Sequence, residues 1–207
     1  MEFFVNPVLG RLSDQIGRRP FMMLSPFVNF FLKFSVFLTD GTSLPLLAAD
    51  RILGGAITTV SGSTTSGAAL ADVVSGADLA AAYGKLGSAA GLGVLIGPFL
   101  AGQALSLAPG DTGVRYTFLL GAITAAFQFC HNFFLFEETL SEDRRKPFDF
   151  STCNPFAFTK IFTRDPTVAL LSLVAGLQCF PEGKSLADVN ILFINNNLKM
   201  SAQMQTW

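Results

Sequence analysis

The stretch GRLSDQIGRRP, residues 10 to 20, places one carboxylate, Asp14, and three arginines, Arg11, Arg18 and Arg19, between two apolar runs. Gly10 lets a neighbouring helix approach closely and Gly17 permits a tight turn, while Asp14 and Arg18 can pair at a membrane surface. Read from these residues alone, the stretch is a basic anchor turn that sets orientation in a bilayer. Four further charges, Lys33, Arg51, Glu182 and Lys184, fall inside apolar runs. Arg51 lies about 10 Å into its helix, at 1.5 Å per residue, where a guanidinium is costly unless it is paired or hydrated. It should face a polar cavity and hold an anionic group, or else be a structural arginine beside Asp50. Glu182 and Lys184 flank Gly183 next to Pro181, where an unwound turn exposes backbone to a cavity. They read as pathway residues, with Glu182 the candidate proton carrier, or as a neighbouring structural ion pair. Lys33 reads as snorkelling outward along its aliphatic stem, and His131 as a hydrogen-bonded interfacial histidine.

The elements that must carry these charges come in membrane lengths. Half of the 207 residues are apolar, 14% are charged and 22 are phenylalanine, and the mean hydropathy is +0.48. That composition leans away from a soluble domain. A helix needs about 20 residues to cross a core about 30 Å thick. Five stretches qualify, at 21 to 39, 44 to 71, 83 to 108, 114 to 136 and 167 to 194, and residues 1 to 12 resemble the end of another helix. The small-residue run GGAITTVSGSTTSGAA at 54 to 69 is the composition that lets helices touch closely in lipid. Cys130, Cys153 and Cys179 have no CxxC spacing, so neither a disulfide framework nor a metal site is expected.

Basic residues set the topology. Arg11, Arg18 and Arg19 lie in one connection, and Arg144, Arg145, Lys146, Lys160 and Arg164 in another, whereas 40 to 43 and 109 to 113 carry Asp40 and Asp111 and no Lys or Arg. The positive-inside rule makes 14 to 19 and 137 to 165 cytosolic, with 72 to 82 joining them by parity. An enzyme reading fails on the residues. GLGVLIG at 91 to 97 has its third glycine one position late for a dinucleotide loop, is followed by Pro98, and has no strand before it. Gly183-Lys184-Ser185 lacks the first glycine of a phosphate loop for ATP, Gln178 standing in its place, and no cofactor, metal or nucleic-acid partner is expected.

Four motifs, and a further stretch at the start of the second half, then carry a family resemblance. Gly10-x-Leu12-Ser13-Asp14-x-x-Gly17-Arg18-Arg19-Pro20 resembles the signature loop between helices 2 and 3 of the major facilitator superfamily of secondary transporters. Leu47-x-x-Asp50-Arg51-x-x-Gly54-Gly55 is similar to the fourth-helix motif built around an intramembrane arginine. Gly93-x-x-x-Gly97-Pro98-x-x-Ala101-Gly102 resembles the fifth-helix motif of the drug:proton antiporter branch, with Ala101 replacing a glycine. Glu138-Thr139-Leu140 and the following NPF are similar to the end of helix 6 and the central loop of tetracycline-resistance-like members, and FPEGKSLADVNILFI resembles helix 7 of hippocampus-abundant-transcript-like relatives.

The resemblance implies an all-α membrane protein, an incomplete major-facilitator-type helix bundle of about five full spans plus a partial one, covering the end of helix 2 to helix 7. Residues 1–136 would belong to the N-terminal half, 137–165 to a cytosolic central loop, and 166–207 to helix 7 and the start of the C-terminal half. It also implies secondary transport of a small solute, proton-coupled antiport by alternating access in the full-length protein, and a charge cluster of Asp14, Arg18 and Asp72 holding one state, with Arg19 at the lipid headgroups. The alternative is a truncated, non-transporting membrane protein or assembly partner. The basic-residue asymmetry is directly testable: single cysteines at Gly41 and Ser141, in a background without other cysteines, should react with an impermeant thiol reagent from opposite faces of a sealed vesicle. Labelling of both from one face would overturn the five-span arrangement.

Overall fold

Residues 2–39, 43–59, 64–108, 110–147, 155–179 and 193 are described in a computed structural model of the chain. Among them the apolar runs form helices and no strand. The first helices in order are α1 (Glu2–Ile16), α2 (Arg18–Leu38), α3 (Leu44–Ala49), α4 (Gly55–Thr59) and α5 (Ser66–Val73). They are followed by α6 (Ala77–Leu107), α7 (Asp111–Leu135), α8 (Ile161–Arg164) and α9 (Pro166–Cys179). α2, α6 and α7 are each long and apolar enough to cross a membrane.

The helix boundaries depart from the sequence reading in informative ways. The stretch expected as one span at 44 to 71 is not a uniform α-helix: a π turn, Asp50–Gly54, separates α3 from α4. Such turns widen the backbone locally and put side chains off the α register. α1 continues to Ile16, α2 begins at Arg18 and α6 begins at Ala77, so the connections expected at 14 to 19 and 72 to 82 are shorter than the charge pattern suggests. α6 runs without a break through Pro98, as a helix in an apolar setting can when other groups serve the freed carbonyl. The fifth expected span is described only as α9, to Cys179.

Two compact units emerge, Met1–Cys153 and Asn154–Trp207. In the second, Pro166 occupies the first helical position of α9, where its missing N–H costs nothing. Asp165 Oδ1 accepts the N–H groups of Thr167 (2.7 Å) and Val168 (3.3 Å), capping that helix.

The first unit is organised around α2 lying antiparallel to α7. Val36 and Ala122 are fully buried between them, with Phe21 and Ala125 nearly so. Asn132 Nδ2 donates to Met22 O (2.8 Å) near one end of the pair. Near the other, Arg115 Nε donates to Phe37 O (2.9 Å) and its guanidinium lies 4.7 Å from the Phe37 ring centre. Side-chain bonds to backbone carbonyls therefore pin both ends of the register, a device suited to lipid, where packing has no hydrophobic driving force behind it. Between the pins, Phe27 sits 5.8 Å from Phe129.

α6 packs against α7 and is tied to α5 through Tyr83, whose hydroxyl donates to Gly67 O at 2.9 Å. A Cβ at Gly67 would stand 3.2 Å from the same oxygen, so the small-residue run does serve close approach here. Most of α6 is exposed, including Leu92, Val94, Leu95 and Ile96.

Midway along the α2–α7 seam, a Cβ at Gly121 would lie 2.8 Å from Lys33 Cδ. Gly121→Val should push that stem aside and destabilise the chain by about 1–3 kcal/mol, the usual cost of overpacking. Melting of helicity in detergent micelles measures it, and Gly121→Ala should fall between valine and the unaltered chain.

Candidate functional site

The turn between α1 and α2 is built by Gly17, whose φ of +120° and ψ of +165° lie in a region essentially closed to residues with a Cβ. This conformation lets α2 start at once, but it leaves glycine as the capping residue, with no side chain to serve the free N–H groups of the first turn. Glu138 supplies what Gly17 lacks. Its Oε1 accepts Arg18 N–H at 2.9 Å and its Oε2 accepts Arg19 N–H at 3.1 Å, while Leu140 N–H donates to Oε1 at 3.0 Å. An anion here also meets the positive end of the helix dipole. A Cβ at Gly17 would collide with Glu138 Oε2, so the same residue is needed for its conformation and for the space it leaves empty.

The cap is reciprocal. Arg19 Nη2 donates to Phe133 O at 2.6 Å, serving one of the unpaired carbonyls in the last turn of α7, and its guanidinium lies 5.9 Å from the Phe133 ring centre. The headgroup-anchor reading of Arg19 did not include this contact.

Arg18 is the hub. Its side chain is 9% exposed, and it joins three elements: Nη1 meets Asp14 Oδ1 on α1 at 2.7 Å, and Nε meets Asp72 Oδ2 on α5 at 3.1 Å. Nη1 also donates to Ser13 Oγ at 2.7 Å, and Ser13 Oγ donates in turn to Gly10 O at 2.7 Å. Sequence reasoning named Asp14, Arg18 and Asp72 together, and the structure brings them together. It did not single out Ser13, which is fully buried, nor the capping role of Glu138. Two arginines opening a helix behind a glycine that cannot cap were the available signal for a distant carboxylate. Gly10 faces Thr64, and a Cβ there would make an ordinary 3.9 Å contact.

The segment after α7 lies over this hub. Leu140 is buried, Arg144 Nη2 donates to Asp72 O at 3.3 Å, and Lys146 N–H donates to Asp14 O at 3.1 Å. Burial alone would raise the Glu138 carboxyl. The N–H groups of Leu140, Arg18 and Arg19 and the nearby Arg145 outweigh it and hold the group below its ordinary value.

A second charged cluster lies within the bundle. Lys33 Nζ meets both carboxylate oxygens of Asp50, at 3.1 and 3.3 Å, and lies 6.0 Å from the Phe118 ring centre. Lys33 therefore does not snorkel: a carboxylate within reach of its stem is a better partner than a distant surface. Asp50 accordingly pairs with Lys33, while Arg51, the next residue of the π turn, is exposed on the chain. Asn29 Nδ2 donates to Thr58 Oγ1 at 2.8 Å, and a Cβ at Gly54 would come within 3.1 Å of Asn29 Oδ1, so the π turn and α2 approach closely along a polar seam. Gly93 and Gly97 face open space, and Pro98 and Gly102 lie on the same helix, α6. Glu182 and Lys184 lie outside the described residues. Among the described residues no group of three or more His, Cys, Asp or Glu side chains is placed to hold a metal ion.

Two substitutions test the reciprocal cap. Gly17→Ala should cost about 1–3 kcal/mol from backbone strain alone, and more if Glu138 is displaced. Because the Glu138 carboxyl titrates lower when folded than when unfolded, the cap contributes fully above the unfolded value of about 4.3 and is lost as pH falls through the folded one. Melting curves from pH 7 to 3 should show stability falling below about pH 4.3, and Glu138→Gln should start lower and flatten that dependence.

The Major Facilitator Superfamily family model matches residues 2–193. The class C tetracycline resistance protein of Escherichia coli is 30% identical over 206 residues, covering 99% of this chain and 49% of that protein. The class B protein of Escherichia coli is 27% identical, covering 99% and 48%. Hippocampus abundant transcript-like protein 1 of Homo sapiens is 27% identical over 192 residues, covering 88% and 35%. The chain thus spans about half the length of the tetracycline resistance proteins it matches. No solved structure matches it. A family match over nearly the whole chain, on helices long and apolar enough to span a bilayer, makes this an integral multi-pass membrane protein that belongs to the Major Facilitator Superfamily.

Proposed function

We propose that the complete protein carrying this chain is a secondary transporter that moves a small solute by proton-coupled antiport, with alternating access between two halves around a midplane site. The observation that carries the reading is the Arg18 hub, a buried guanidinium held by carboxylates from two other helices at the mouth of the bundle. In this reading Asp14, Arg18 and Asp72 form a charge set whose partners differ between states, so that breaking it shifts their populations. Gly17 and Arg19 hold the set in register, and Gly10 leaves room beside it.

Arg51, Glu182 and Lys184 are the proposed pathway groups, Arg51 to hold an anionic group and Glu182 to carry the proton. The permanently charged guanidinium cannot itself release a proton near neutral pH. Gly93, Gly97, Pro98 and Gly102 are the proposed antiport motif, and among the described residues nothing stands within 4 Å of a Cβ built at Gly93 or Gly97. The resistance proteins' names suggest tetracycline as the first solute to try.

The test is uptake in vesicles holding the complete protein, with tetracycline as probe and an imposed pH gradient. Asp14→Asn should lower gradient-driven uptake by about tenfold, within the 1–3 kcal/mol typical of coupling between sites. Arg51→Lys should impair it less than Arg51→Ala, because charge survives while the planar fork is lost, and Glu182→Gln should flatten its pH dependence. Gradient-driven uptake that all four variants leave unchanged would return these residues to structural roles. No gradient-driven flux of any tested solute would favour the non-transporting reading.

A further inference from the structure

The segment after α7 encloses, with the hub, a cleft of about 400 Å³, a size typical of small-ligand sites. Three consecutive cations, Arg144, Arg145 and Lys146, line it. Arg18 lines it as well but is already engaged by Asp14 and Asp72. With Asp143 as the remaining carboxylate, the lining carries four cations against three anions, a net charge of one positive.

A second observation concerns unmet donors. Among the described residues, the buried side-chain polar atoms without a hydrogen-bond partner are Arg19 Nε, Thr139 Oγ1 and Arg145 Nε. All three belong to the end of the bundle where α2 begins and α7 has ended. Of the three only Arg145 lines the cleft, and its Nε can only donate, so what is missing there is an acceptor. Arg145 is otherwise weakly engaged, its Nη1 lying 3.9 Å from Glu142 Oε1 on an exposed side chain.

The cleft also sits at a definite level. α7 shows Phe133, Phe134 and Leu135 to its surroundings immediately before it ends, and the cationic segment follows within about ten residues, so a membrane-spanning α7 would bring it to the headgroup phosphates.

We propose that this cleft binds a phosphate-type oxyanion at the membrane surface, with Arg144, Arg145 and Lys146 as its ligands. A phosphate ester offers several acceptors and no obligatory donor, and it matches the arginine fork in geometry and charge. The source is the headgroup of an anionic phospholipid or a free phosphate. Neither source depends on the chain's taking part in transport.

The experiment uses the 207-residue chain purified in an uncharged detergent. It is mixed with micelles containing equal phosphatidylglycerol and phosphatidylcholine, and native mass spectrometry counts the lipid retained. Phosphatidylglycerol should be retained about tenfold over phosphatidylcholine, the worth of one charge-assisted contact. Arg145→Gln should abolish most of that preference, and so should Arg144→Gln combined with Lys146→Gln. Asp143→Asn removes the opposing carboxylate and should raise retention severalfold, which no loss of folding could imitate. Ten millimolar inorganic phosphate (roughly; a working concentration well above weak-site affinities) displacing the lipid would identify a free-phosphate site, and phosphate without effect would identify the headgroup. Equal retention of the two lipids, or a preference that survives all three cation substitutions, would overturn the proposal.

Discussion

The first unit depends on how two antiparallel helices satisfy each other's ends. α2 starts where α7 finishes, so unpaired N–H groups and unpaired carbonyls, with opposite ends of two helix dipoles, are brought to the same place. Glu138, just beyond α7, serves the first, and Arg19, in the first turn of α2, serves the second. Each helix carries the other's cap, and neither cap works unless the pair is in register. The arrangement also explains why the turn needs glycine: a side chain at Gly17 would occupy the space of the carboxylate that replaces its own missing cap.

Arg18 converts this paired end into a junction. Its backbone N–H belongs to the cap, whereas its side chain reaches Asp14 and Asp72. Any motion that parts α5 from α2 therefore pulls on a residue whose amide is fixed by Glu138. Toward the other ends of the helices the ties are of a different kind. Lys33 and Asp50 form a closed ion pair between α2 and the π turn, and Arg115 grips the Phe37 carbonyl from α7. With ties at both levels, α2 and its neighbours resist shear, since sliding α2 along α7 would break contacts at the two ends together.

Much of this was legible in the sequence because apolar length and charge placement are local signals. The positions of α2, α6 and α7 follow from composition, and the Asp14, Arg18 and Asp72 set was implied by the family resemblance. What escaped was relational. The pairing of Lys33 with Asp50 rests on the rotation of two helices about their axes, which a π turn changes without leaving a mark in the hydrophobic pattern. The role of Glu138 rests on a carboxylate meeting amides about 120 positions earlier in the chain. Spacing says nothing about such a meeting until the antiparallel register of α2 and α7 is known. Arg51 was found by its cost in an apolar run, and that cost identifies a residue without identifying what answers it.

α6 carries the argument one step further. It presents Leu92, Val94, Leu95 and Ile96 outward together with the motif glycines Gly93 and Gly97. In water, at about 25 cal/mol per Å² of apolar surface, such a face would drive association. In lipid that drive disappears, and what remains is the opportunity for close approach that small residues give to another helix. Among the described residues nothing stands within 4 Å of a Cβ built at either glycine, so no contact among them explains either. The hub glycine and the α6 glycines therefore differ in kind. Gly17 is fixed by a strained backbone and an occupied space, and its replacement has an internal cost. Gly93 and Gly97 are ordinary helical positions with nothing within 4 Å of a built Cβ among the described residues, so replacing them has no comparable internal cost there.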